Sequence, residues 1–372
     1  MRILGAVLVA LFAIAIAFAS VLKHPTYTPD GIVYARFAAR DAGYSQRDAT
    51  LAARAFYDHT AMMSNPRYRA LIELDPSVSF ARSKVFANRV LYPWVVGMAL
   101  PAAGFRALFL VNAAAYIAFG LALFWMLCAF RRPEIALALS LIALALPLTR
   151  AAAASDLTDM LAMVWWAIAL GALLRSERGS SPLLLGVLAV SSGLLALTRP
   201  TPYLVVLPAL ALGIVRASWW PLLASFGGVA AFGIVAAATH AYGISEQLRW
   251  VYDHRPAATD VSFTAWYRAA VFESVRYVDA ETVRTVVPLV MIAAAVYGLR
   301  RRSTRADMWV LVAAGIACLL AVPFNPVPSS FARVVMLPLI PVFCGIAQCA
   351  AQALLVRTTA KAPAKPAPGA LA

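Results

Sequence analysis

Apolar and polar positions fall in long blocks along this chain, without the short period of an amphipathic surface helix or a half-buried strand. Ile3 to Leu22 is an unbroken apolar run behind Arg2, long enough to cross a bilayer. Lys23 to Asn88 is polar and rich in Arg, Asp and Tyr. Within it, Ala35–Tyr44 and Arg47–Tyr57 have the spacing of short helices, while Asn65-Pro66 and Asp75-Pro76 mark turns. Val90 to Leu100 is apolar but short, with Pro93 and Pro101 in or beside it, which predicts an interfacial or re-entrant helix more than a span. Apolar runs then dominate at 106–130, 134–149, 157–174, 182–198, 201–215, 218–242, 284–299, 307–323 and 333–356. Together with 3–22 they predict about ten transmembrane helices. The fold class expected is an all-α polytopic membrane protein with one membrane domain over 1–356. Its large loops would be 23–105 and 243–283, followed by a disordered tail over 357–372.

Composition agrees with this pattern. The chain is 62% hydrophobic and 13% charged, further from the soluble average than packing of an ordinary core requires. Its net charge of +15 has a topological reading. With the N-terminus inside, the basic groups Arg131-Arg132, Arg175 with Arg178, Arg216, Arg300-Arg301-Arg302 with Arg305, and Arg357 with Lys361 and Lys365 all fall on the cytoplasmic side. That distribution explains the charge without invoking nucleic acid. The first apolar run has a second reading as a signal peptide, since Ala17-Phe18-Ala19 precedes Ser20, but a retained first helix is the reading adopted.

The same topology collects a set of charged groups on the outer side. Asp30 follows the first helix, in Thr28-Pro29-Asp30-Gly31, which reads as a turn. Arg150, Asp156 and Asp159 lie between the third and fourth helices, Arg199 between the fifth and sixth, and Arg333 at the start of the last. Asp30 is a candidate general base or charge stabiliser, or simply a turn former. Asp156 and Asp159, three apart at a helix start, would share one face, and Ser155 and Asp156 also suit a helix cap. Arg199 and Arg333, with Arg150 as a weaker third, could clamp a phosphate, because guanidinium forks match its oxygens, or could snorkel or pair with the acids. In the loop 243–283, Trp250, Tyr252, Trp266 and Tyr267 with Arg249, Arg255 and Arg268 suit either ligand stacking or an aromatic belt.

Other chemistries lack support. The four cysteines lie inside apolar runs, and the four histidines have no zinc spacing. There is no Walker loop, no Rossmann glycine pattern and no serine-hydrolase signature.

The arrangement resembles the GT-C integral-membrane glycosyltransferases, which include protein mannosyltransferases, the lipid A aminoarabinose transferase and oligosaccharyltransferase catalytic subunits. Carrying the resemblance are Pro29 to Tyr44, an Asp followed by a short helix ending in Gly and an aromatic, and Arg89-Val90-Leu91-Tyr92-Pro93. Ser155-Asp156-Leu157, Leu197-Thr198-Arg199-Pro200-Thr201 and Arg333 through Pro341 complete it. It spans about residues 1–356. The chain has Asp-Gly where a paired Asp-Glu occurs in the family, and no large soluble C-terminal domain follows the helices.

The resemblance implies a bacterial inner-membrane enzyme that moves one sugar from a polyprenyl-phosphate donor to a glycan, lipid or protein acceptor on the outer face. Asp30 and Asp156 would be its acidic catalytic residues. Asp159, Arg150, Arg199, Arg333 and Tyr34 would bind substrate. No cofactor is expected, and a divalent metal has no ligand spacing to support it. A transporter or flippase of lipid-linked saccharides and a non-catalytic assembly partner are the alternatives.

Overall fold

The computed structural model describes residues 1–60, 86–130, 132–240, 282–301, 304–320 and 332–360, and all regular structure among them is helical. The aromatic and basic loop from Trp250 to Arg268 and the tail from Lys361 lie outside the described residues. In chain order the helices are α1 (Arg2–Ile16, continued as a π turn over Ala17–Val21), α2 (Pro29–Asp41), α3 (Gln46–Tyr57), α4 (Leu91–Ala103) and α5 (Ala107–Leu127). There follow α6 (Pro133–Ala145), α7 (Pro147–Ala154), α8 (Asp159–Ser176), α9 (Pro182–Thr198), α10 (Tyr203–Arg216) and α11 (Trp220–Ala238). The last are α12 (Thr282–Arg300), α13 (Arg305–Leu319) and α14 (Leu337–Ala360), the last preceded by a π turn over Ala332–Met336.

Helices occupy each apolar stretch of the sequence, but not all reach spanning length. Among the described residues five helical runs are long and apolar enough to cross a membrane: Arg2–Val21, Leu91–Leu127, Asp159–Ser176, Trp220–Ala238 and Arg333–Leu354. A sixth is counted if α6 and α7 form one bent span. The predicted single helix over 134–149 is in fact divided. Pro147 cannot continue a helix and pushes Leu146 to extended geometry, so α6 ends at Ala145 and α7 leaves it at 58°. At the other end α14 continues to Ala360, past the expected boundary at 356.

The run Leu91–Leu127 is not one straight rod. Tyr92 Oη donates to the Leu108 carbonyl at 3.0 Å, although sixteen residues of straight helix would separate them by about 24 Å. The chain folds back at Gly104, whose φ of 57° is open to glycine and costly for other residues. Thus α4 lies against α2 beside the bundle rather than extending α5. Gly97 makes that packing close, because a Cβ there would sit 2.8 Å from the Ala38 carbonyl oxygen.

Two ends of the bundle can be defined from side-chain contacts. At one end Asn112, near the start of α5, reaches the carbonyls of Ser155 and Leu157 ahead of α8. At the other, Arg175 near the end of α8 reaches the Trp125 carbonyl near the end of α5. These helices therefore run side by side in one direction. α9 returns, so that Arg199 meets Asp159, and α10 goes back, so that Arg216 meets Glu177. α13 starts at the Arg178 end with Asp307, and α14 starts at the Asp159 end with Arg333. Although α9 and α10 are shorter than the five long runs, each connects the two ends.

The main core joins α1, α5 to α10 and α12 to α14. α1 contributes Val9, Ala13, Ala17 and Val21, all essentially buried. A separate core lies under the polar loop, where Ile32, Tyr34, Ala35, Ala53, Tyr57, Tyr92 and Leu157 pack together. Outward faces of α9 and α11 present Leu183, Val190, Trp220, Leu223 and Ile234, an apolar surface compatible with lipid.

Candidate functional site

The first outer loop is shaped by the start of α2. Thr28 is its N-cap, accepting from Gly31 N–H at 3.1 Å, and Pro29 stands at the first helical position. Asp30 is therefore in the first turn of a helix, not in the free turn expected from Asp-Gly. Acids in that position favour the helix dipole. Backbone bonds then fasten the segment ahead of α2 to the segment ahead of α8. Thr26 N–H donates to the Ala154 carbonyl at 2.8 Å, and Asp156 N–H donates to the Thr26 carbonyl at 3.3 Å.

This fastening brings four of the predicted site residues into one ionic chain. Arg333 Nε donates to Asp159 Oδ2 at 2.7 Å, and Arg199 pairs with the other oxygen of the same carboxylate. Arg333 Nη1 also lies 3.7 Å from Asp30 Oδ2. The Asp159 side chain is 1% exposed and that of Arg199 11%, whereas those of Arg333 and Asp30 are 30% and 35% exposed. One carboxylate thus holds two guanidiniums at the base, with Asp30 at the accessible edge. A buried charge is tolerable only when paired and hydrogen-bonded, and Asp159 satisfies both conditions through α9 and α14.

Arg89 joins the same cluster and was not singled out from the sequence. Its Nη1 donates to Tyr34 Oη, its guanidinium lies over the Phe86 ring at 4.8 Å, and its Nε is buried without a partner. Its charge acts on both Asp159 and Arg199. Its place in Arg89–Pro93 is the one sequence signal that points to it. A groove of about 640 Å³ opens beside Arg89, walled by Asp41 of α2, Pro93 and Trp94 of α4, and Leu197 of α9.

The remaining predicted residues have other settings. Tyr34 is fully buried and supports Arg89, its hydroxyl held above its usual pKa by burial. Asp156 does not face the same side as Asp159 and does not cap α8; the N-cap is Thr158. Its carboxylate is 0% exposed and accepts from Thr28 N–H at 3.0 Å, from Thr28 Oγ1 at 2.6 Å and from Tyr57 Oη. Burial pushes its pKa up to about 6, against the pull of those hydrogen bonds. Arg150, on α7, forms no ion pair with Asp30, Asp156 or Asp159 among the described residues, and its Nε has no partner. No group of three or more His, Cys, Asp or Glu is placed to hold a metal among the described residues.

Chemically, among the described residues the cluster offers three guanidiniums against two carboxylates. That leaves one positive charge in excess at a half-open site, an arrangement suited to a monoanion. Comparison with known proteins adds no family: no protein-family model matches the chain, and the curated proteins contain no similar sequence.

Proposed function

We propose that this chain is a GT-C-like inverting glycosyltransferase that uses a polyprenyl-phosphate sugar as donor. The observation that carries the reading is the Asp30–Arg333–Asp159–Arg199 chain, with Arg89 beside it, at one end of an all-helical bundle. A sugar phosphodiester bears a single negative charge, which the excess guanidinium balances; a diphosphate would bring more charge than the cluster offsets. Asp30 takes or orients the proton of an acceptor hydroxyl. The hydroxyl oxygen then bonds to the anomeric carbon as the bond from that carbon to the phosphate oxygen breaks, with inversion. Negative charge grows on the departing polyprenyl phosphate, where Arg199, Arg333 and Arg89 stabilise it. The groove beside Arg89 falls within the usual size of ligand clefts and gives a second substrate portion a place close to the cluster.

In this reading the helices cross about ten times. The N-terminus is cytoplasmic, and the Asp159 end faces outward in a bacterial inner membrane. The alternation of helix direction between the two charged ends supports that topology, as does the placement of Arg175, Arg178 and Arg216 at the opposite end. The acceptor is a cell-envelope glycan, lipid or protein.

The test is transfer from a panel of radiolabelled polyprenyl-phosphate sugars by purified wild-type protein and Asp30→Asn, with folding checked by gel filtration. Turnover by wild type and a loss of about a hundredfold or more in the variant is the expected result. Equal turnover would remove Asp30 from the mechanism. A second reading, transport of lipid-linked saccharide, draws on the 58° break between α6 and α7, because broken helices mark many transporter sites. Saccharide movement across vesicles without any transfer would favour it.

A further inference from the structure

We infer that Asp156 is a positioning residue that sets the first turn of α2, and through it the aim of Asp30. The inference rests on the transferase reading for its kinetic consequence, but its geometry stands alone.

Asp156 is buried, and among the described residues no Arg, Lys or His forms an ion pair with it. Thr28 meets it from the start of α2 and Tyr57 from the end of α3, while Gly31 packs directly on its carboxylate. Among the described residues, Tyr92 of α4 acts with it directly and Tyr27 through Tyr57. This differs from Asp159, whose oxygens are both taken by guanidiniums. A solvent-facing acid or base needs access, and Asp156 has none: a Cβ at Gly31 would lie 2.0 Å from Asp156 Oδ2.

What Asp156 can do is fix Thr28. The Thr28 hydroxyl has one hydrogen, which it donates to Asp156 Oδ1, so its lone pairs are turned to the Gly31 N–H that it caps. The carboxylate thus orders the cap, and the cap orders the turn that carries Asp30. Tyr57 adds α3 to the same point, so three segments distant in sequence are held by one side chain. Asp30 lies between Thr28 and Gly31, and its distance from Arg333 depends on the rotation of that turn. The donor cations Arg89, Arg199 and Arg333, and Asp159 that anchors two of them, are held by Tyr34 and by the ends of α8, α9 and the turn before α14, and the Asp156 side chain bonds to none of them. Loss of Asp156 therefore lowers turnover while leaving donor affinity in place.

Two variants, Asp156→Asn and Thr28→Val, and their double test this, with Thr28→Ser as the conservative control. In the transfer assay we expect each single variant to lower kcat by about tenfold to thirtyfold with KM for the donor within about twofold, and the double to lose no more than either alone. Thr28→Ser retains kcat. Multiplied losses in the double, or a rise in donor KM with kcat intact, would overturn the proposal. A second readout does not depend on the reaction. Asp30→Cys is placed in each background, and its modification by an anionic thiol reagent is timed in detergent, with wild type as the control for Cys128, Cys318, Cys344 and Cys349. We expect the rate to change at least about tenfold with Asp156→Asn and with Thr28→Val, and little with Thr28→Ser. Unchanged rates in the first two would refute the positioning role. No transfer by any protein, together with changed modification rates, would sink the transferase reading and leave the positioning of residue 30 established.

Discussion

The two ends of the bundle hold similar charges and use them differently. At one end Arg199 and Arg333 pair with Asp159, Arg333 also nears Asp30 and Arg89 acts on Asp159; at the other Arg178 pairs with Glu177 and Asp307 and Arg216 with Glu177, with Arg175 close by. Arg175 and Arg178 are spent on main-chain carbonyls: Arg175 on Gly171 and Trp125, and Arg178 on Ala129. They close the carboxyl ends of α5 and α8, where basic groups favour the helix dipole. Arg178 and Arg216 are 43% and 49% exposed. Glu177 and Asp307 are themselves only 10% and 5% exposed, but at the Asp159 end the guanidiniums are more buried as well, Arg199 at 11% and Arg333 at 30%, and both converge on the one carboxylate. Charge at a helix end therefore does not by itself mark a site. The distinction lies in whether the guanidiniums satisfy backbone that would otherwise be bare or converge on a point that a ligand can share.

The comparison breaks most sharply at Asp159. Asp159→Ala leaves Arg199 and Arg333 facing each other in a partly buried setting and is expected to cost about 3–5 kcal/mol of stability. Denaturant unfolding in detergent measures it, and a change near that of an exposed pair would mean that the two ends are equivalent. Next in size is the pH dependence set by Asp156. Its folded pKa, about 6, lies above the ordinary carboxylate value of 3.8, so its contribution to stability is fully present below about pH 4 and is lost as pH rises through 6. The difference amounts to about 3 kcal/mol from the width of that interval. Unfolding followed from pH 4 to pH 7 should show the decline in wild type and a flatter profile in Asp156→Asn.

On the transferase reading, Arg333→Ala should then lower transfer by about a hundredfold, since one charge donor to the leaving group would be gone. A rate matching wild type would place the leaving group elsewhere. The smallest expected effect is at the opposite end. Arg216→Ala removes the half-exposed partner of Glu177, a mostly buried acid that keeps Arg178 beside it, and should change stability by about 1 kcal/mol, with the effect shrinking further in high salt. A salt-independent loss of several times that size would show the second end to be as tightly bound as the first.

Much of this was legible because membrane helices announce themselves by uninterrupted apolar runs. The same patterning placed Asp30, Asp159, Arg199 and Arg333 at connected helix ends, and the structure brings those four together. Three details were less accessible. Thr28-Pro29 signals a cap followed by the first helical residue, yet Asp-Gly competes as a turn, and only the Thr28 contact with Asp156 settles the choice. The partners of Asp156 lie 128 and 99 residues away, beyond any local spacing rule. Arg89 stands next to a short apolar segment and resembles any interfacial anchor until Gly104 folds α4 back and the Tyr34 hydroxyl meets it. Pro147, by contrast, was a local signal for the break in 134–149 and carried more weight than the length of the apolar run.

The Arg333–Asp159 contact joins residues 174 apart. Synthesis proceeds from the N-terminus, so α8 and α9 are made well before the start of α14 exists. During that interval Asp159 has Arg199 as its available cation and Asp30 lacks its Arg333 neighbour. Arrival of the last helix completes the charge pairing and the site in a single event. A chain that stalls earlier carries both acids in an unfinished setting, with a buried carboxylate short of one partner. The order of synthesis thus gives finished and unfinished copies a physical difference, because the contact that completes the ionic cluster also supplies the second partner of its buried carboxylate.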